Sequence, residues 1–97
     1  MKYTPLERKQ IIEQRLNQAL TPISLEVIDE SHRHIGHEGA KTGASHFAVA
    51  IVSQRFVGHS NIKRHQLVYE ALLDLIPHDI HALKIQAKTP EGSSFNN

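Results

Sequence analysis

The stretch His46-Phe47-Ala48-Val49-Ala50-Ile51-Val52, followed by Ser53-Gln54-Arg55-Phe56-Val57-Gly58-His59-Ser60, decides how this chain is read. Phe47, Val49 and Ile51 alternate with the smaller Ala48 and Ala50, the period-two pattern of a strand with one buried face. Ser53 to Ser60 reads as a turn or a single helical turn, broken at Gly58. A helix follows, capped by Ser60 or Asn61. Val68, Leu72 and Ile76 form one i, i+4 row on it, with Leu67, Ala71 and Leu75 beside them. Pro77 stops this helix. His81 to Ala87 alternates again, with Leu83 and Ile85 facing inward.

Upstream, Thr4-Pro5-Leu6-Glu7 has the residues of a helix start: a cap, a proline at the first position and a capping-box glutamate. Ile12, Leu16, Ala19 and Leu20 give this helix one apolar stripe, and Pro22 ends it near residue 20. Ile23, Leu25 and Val27 alternate with polar residues as a strand. Between Ser31 and Ser45 the pattern breaks. That stretch holds Gly36, Gly39, Gly43 and three histidines, and it reads as a long loop joining two strands. Loops of that length in small domains are usually functional or mobile. The order α-β-β-turn-α-β packs most economically as an α+β fold. Its three-stranded sheet carries both main helices on one side. The first two strands should pair antiparallel, and the third, after a helical crossover, can run parallel to an earlier one.

Composition fits one small domain over residues 1–97, with 1–3 and 90–97 as frayed tails. Of the 97 residues, 39% are hydrophobic and 22% charged, a folded and not a disordered balance. No run approaches the roughly 20 apolar residues of a membrane span. The start carries no apolar stretch of a signal peptide. These features and the absence of cysteine lead us to expect a cytoplasmic protein. A chain without cysteine has no disulfide, no thiol nucleophile and no thiolate metal ligand of its own.

Charge is uneven. Residues 31–65 carry five Lys/Arg against Glu38 alone, and six of the eight histidines. His65, at the edge of the second helix's apolar row, either caps locally or serves as a metal ligand. His32, His34 and His37 lie close together in glycine-rich backbone. Two imidazoles are too few for a closed zinc site, but they suffice as half of a site completed by a partner. Arg55, Lys63 and Arg64, around Gly58 and a helix start, form a small basic group similar to a helix-turn-helix reader of nucleic-acid phosphates. Aromatic residues are only 5%, too few for stacking on single-stranded bases. Catalysis has little support. Ser53, Ser60 and His65 are not spaced as a relay, and no glycine-rich phosphate loop is present.

At this point the chain resembles the BolA family. The likeness is carried by Leu25-Glu26-Val27-Ile28-Asp29-Glu30-Ser31 and Ser45-His46-Phe47. It continues in Val52-Ser53-Gln54-Arg55-Phe56-Val57-Gly58, Arg64-His65-Gln66-Leu67-Val68-Tyr69 and Ile80-His81-Ala82-Leu83. The resemblance implies a KH-like fold of the second type and a non-enzymatic adaptor or regulator. It implies pairing with a monothiol glutaredoxin and a shared [2Fe-2S] cluster, whose thiolates come from the glutaredoxin and its glutathione. In that picture His65 is the helix ligand and a loop histidine is the second, His37 before His34. Alone, the chain is then expected to hold no cluster and to be a monomer or weak dimer. Bacterial members also resemble transcriptional regulators of the stress response that bind double-stranded DNA, which maps here to Arg55, Lys63 and Arg64. The Gly-x-x-Gly of nucleic-acid-binding KH domains is missing, with Gly58 standing alone.

Overall fold

A computed structural model describes residues 3–31 and 45–90. Helix α1 spans Pro5–Leu20, strand β1 Ser24–Asp29 and strand β2 His46–Val52. A 3-10 turn at Gln54–Phe56 leads to helix α2, Asn61–Ala71, then a second 3-10 turn, Leu73–Leu75, and strand β3, Ala82–Lys88. The start of α1 is built as its sequence requires. The Thr4 hydroxyl accepts from the Glu7 N–H (3.2 Å), and the Glu7 carboxylate accepts from the Thr4 N–H (3.0 Å). The α2 cap is Ser60, whose hydroxyl accepts from the Lys63 N–H. Gly58 stands between the two with φ of 84°, where a side chain would be strained.

The sheet order is β1-β2-β3, with β1 antiparallel and β3 parallel to the central β2. The register stacks three inner rows: Leu25–Ile51–Ala87, Val27–Val49–Ile85 and Asp29–Phe47–Leu83. Helix α1 lies against β1, α2 against β3, and the two helices touch. Ile12, Leu16, Leu20, Val68 and Leu72 close the core over Phe47, Val49 and Ile51. The opposite face carries Ile28, Ala48, Ala50, Lys84 and Gln86 and is not covered by either helix.

Four sequence expectations need adjusting. Ala19 is exposed, so the buried α1 row is Arg8, Ile12, Leu16 and Leu20. Ile23 precedes β1 and is 65% exposed; only its backbone joins the sheet, donating to the Val52 carbonyl. The α-helix ends at Ala71, before the Ile76 that was expected to extend its row. Leu72 leaves helical geometry (φ −113°, ψ 12°), and i→i+3 bonds then turn both Leu72 and Leu75 into the core. Tyr3, expected to fray, is anchored: its N–H donates to the Asp79 carboxylate (3.2 Å) and its side chain packs against the core.

Candidate functional site

Strand β2 separates two functional ends. Its seven residues span roughly 20 Å. At its N-terminal end lie the roots of the 32–44 segment; at its C-terminal end the Gln54–Phe56 turn leads into α2. His46 pairs in register with Ala82, and Val52 with Lys88. His46 and the basic residues Arg55, Lys63 and Arg64 are thus divided between opposite ends of the sheet.

At the first end the roots are closely tied. The His46 N–H donates to the Ser31 hydroxyl (3.1 Å), and the Glu30 N–H donates to the His46 carbonyl (2.7 Å). The buried Ser45 carbonyl accepts from the N–H groups of His81 (2.8 Å) and Ala82 (3.2 Å). Because β2 and β3 run parallel and begin side by side, the imidazoles of His46 and His81 meet, with ring centroids 5.8 Å apart and planes tilted by 57°. His81 is exposed and His46 half-buried. On the uncovered face next to them, Lys84 pairs with the buried Glu30 carboxylate at 3.2 Å. Coordination by neutral imidazole needs an accessible ring nitrogen, which an exposed His81 can offer. Among the described residues no group of three or more His, Asp or Glu gathers to hold a metal. With no cysteine in the chain, this end fits half of a mixed imidazole–thiolate centre and not a whole one. The expected loop ligands His34 and His37 lie outside the described residues.

His65 is at the other end. It is half-buried on α2 and lines a groove of about 420 Å³ with Asn61, Arg64, Ile85, Gln86, Ala87 and Lys88. Those β3 positions are three to six residues beyond Ala82, so about 10–20 Å along the strand from the loop roots. The structure therefore does not bring His65 to the loop roots, and the histidine it brings there is His81. The expected partners of His65, His34 and His37, lie outside the described residues.

The basic trio is also divided in kind. Arg55 is exposed and Lys63 half-buried, both at the surface around Gly58. The Arg64 guanidinium donates from Nε to the His59 carbonyl (3.0 Å) and from Nη1 to the Ala87 carbonyl (3.3 Å). The Lys88 carbonyl turns inward to accept from the Ser53 N–H, so the neighbouring Ala87 carbonyl points out of the sheet edge. Arg64 thus fastens α2 to β3 and closes part of an open edge. Ser53 and Ser60 hold structural roles: the buried Ser53 hydroxyl donates to the Leu20 carbonyl (2.6 Å) and accepts from the Arg55 N–H, while Ser60 caps α2.

Sequence reasoning missed the pairing of His46 with His81. Both histidines stood in the stretches that carried the family likeness, and the parallel pairing of their strands was foreseen as an option. The register was not, and the register is what sets them side by side.

The fold and this end define a small KH-like α+β domain with one exposed imidazole, His81, beside a half-buried one and no thiolate of its own. The description "BolA-like protein" matches residues 16–92, and the chain belongs to the BolA-like family. It is 49% identical over 79 residues to BolA-like protein 1 of Mus musculus, covering 81% of this chain and 56% of that protein. It is 40% identical over 78 residues to the DNA-binding transcriptional regulator BolA of Escherichia coli (strain K12), covering 80% of this chain and 71% of that one. Among solved structures, the BolA domain of SufE1 from Arabidopsis thaliana superposes with a TM-score of 0.76 at 44% identity, covering 88% of this chain and 94% of that domain. The chain spans only about half the length of the mouse relative. No described helix is long and apolar enough to cross a membrane.

Proposed function

We propose that this chain is a non-enzymatic adaptor that pairs with a monothiol glutaredoxin and shares a [2Fe-2S] cluster with it, in iron–sulfur trafficking or iron homeostasis in the cytoplasm. The single observation that carries this is the exposed His81 imidazole beside His46, at the roots of a histidine-bearing segment, in a chain with no thiolate. His81 supplies one ligand and His37 or His34 the second; the glutaredoxin and its glutathione supply the thiolates. His65, at the far end of β3, is not part of this set. Such a half-site makes the cluster transferable, since neither partner alone completes its coordination. The test is visible circular dichroism of the chain co-expressed anaerobically with a monothiol glutaredoxin. The account expects a cluster spectrum distinct from that of the glutaredoxin homodimer, lost in His81→Ala and kept in His65→Ala. A mixed spectrum identical to the homodimer's overturns it.

A second reading, a DNA-binding regulator, is supported by the name of the Escherichia coli relative and by the cations Arg55 and Lys63 on either side of Gly58 in the chain. Arg64, tied to two carbonyls, is not counted among the phosphate contacts in this reading. Binding to double-stranded DNA that weakens steeply with salt, and weakens further in Arg55→Ala, supports it. Salt-independent or undetectable binding removes it.

A further inference from the structure

The buried network under the loop roots has no part in the core, and its polarity needs a reason. Ser45 is 2% exposed and Asp79 3%. The Ser45 hydroxyl donates to the Asp79 carbonyl, and the Ser45 carbonyl accepts from both His81 and Ala82. One residue thus makes three bonds to the four-residue segment that ends in the start of β3. Asp79 is itself fixed from below. Its carboxylate faces the buried Arg8 of α1, with Nε to Oδ1 at 3.7 Å, and accepts from the Tyr3 N–H. Its N–H and that of Ile80 both donate to the Leu75 carbonyl (2.8 and 2.9 Å). A chain of contacts therefore runs from the first turn of α1, through Asp79, to Ser45, and ends at His46 and His81.

Buried polar groups of this kind cost stability unless fully bonded, and when bonded they fix one geometry. An apolar residue at position 45 would lack the hydroxyl's bond to the Asp79 carbonyl. What the hydroxyl adds is a fixed relation between the root of the 32–44 segment and the backbone that carries His81. We infer that Ser45 is a positioning residue: it locks the loop root to the His81 segment, so that the His46 and His81 imidazoles are held as a pair before any partner binds. Arg8 and Asp79 form its foundation. Such preorganisation lowers the ordering cost of assembling a shared site. The role in cluster sharing rests on the function proposed above; the positioning itself does not.

The experiment compares wild type, Ser45→Ala and Ser45→Thr, which keeps the hydroxyl. In the cluster-free protein, two-dimensional NMR reads the nuclear Overhauser contact between the His46 and His81 rings, and hydrogen exchange reads the His81 and Ala82 amides. The expected result is that Ser45→Ala weakens the ring contact and speeds exchange at His81 and Ala82 at least tenfold. The Lys84 and Gln86 amides, further along β3, should be unchanged, and Ser45→Thr should restore both readouts. Uniform acceleration along β3 means a general loss of stability and overturns the proposal, as does an unchanged ring contact. In the complex with a monothiol glutaredoxin, the visible circular dichroism of Ser45→Ala should be altered and cluster loss should speed up several-fold. If His81→Ala abolishes the mixed spectrum while Ser45→Ala leaves spectrum and loss rate at the wild-type values, the role in cluster sharing is overturned. If His81→Ala changes nothing, the ligand assignment fails instead, and the ring contact still decides whether Ser45 positions the pair.

Discussion

The two ends of the sheet differ in what holds them. At the loop-root end, buried polar groups (Ser45, Asp79, Arg8) support an exposed imidazole. At the α2-groove end, a half-buried arginine is spent on backbone carbonyls, and the remaining cations lie at the surface. The first arrangement suits a ligand that must sit at a defined position. The second suits a diffuse, salt-sensitive contact. Ser45 and His46 at the first end and Arg55, Lys63 and Arg64 at the second are neighbours in sequence, and the single strand β2 keeps them apart.

The sharpest way to break this contrast is Asp79→Ala. It removes the carboxylate that faces the buried Arg8 charge, so urea denaturation should show a loss of about 3–5 kcal/mol. The damage should begin at Tyr3, Ser45 and His81 in hydrogen exchange. If the groove end opens first, the two ends are not independent. Next in size is Arg64→Met, which removes two charge-assisted bonds and keeps much of the side-chain bulk. A loss of about 1–3 kcal/mol is expected, with α2 and β3 exchanging faster near Ala87. The His46–His81 contact should survive; its loss would show that Arg64 supports both ends.

Smaller still is the effect of Lys63→Ala or Arg55→Ala. Stability should change by less than about 0.5 kcal/mol, as for most surface substitutions. Where DNA binding is measurable, the slope of log affinity against log salt should fall by about 1 for each lost phosphate contact. The smallest effect is expected at the pair between Arg15 of α1 and Asp74 in the 3-10 turn after α2, where Asp74→Asn should stay within about 0.3 kcal/mol of wild type. The hydrogen bond to Asp74 raises the Arg15 pKa above its ordinary value, yet both groups are substantially exposed and solvent screens them.

Much of the fold could be read from the sequence because each element carried its own period. Phe47, Val49 and Ile51 face the core as their alternation required, and Thr4, Pro5 and Glu7 start α1 as their order required. The errors fell where tertiary packing overrides local pattern. Ile23 lies outside the strand, and Leu72 breaks the helix to bury Leu75. The candidate site was less legible for a similar reason. His65 stood out because it lies at the edge of the apolar row of α2, a feature local to its own helix, whereas the loop histidines stand in a separate stretch. His81 is far from them in sequence and is brought to their roots only by the parallel register of β3 on β2. The sequence listed the residues of Ser45-His46 and Ile80-His81, but nothing local in it shows that they touch.

The most direct test of the separation of ends is an NMR map of the cluster-loaded complex with a monothiol glutaredoxin. Iron broadens signals from nearby nuclei. The account predicts broadening of Ser45, His46, His81 and Ala82, with Asn61, His65 and Gln86 still sharp. Broadening centred on His65 and Gln86, with His81 sharp, would contradict it and return the ligand to α2.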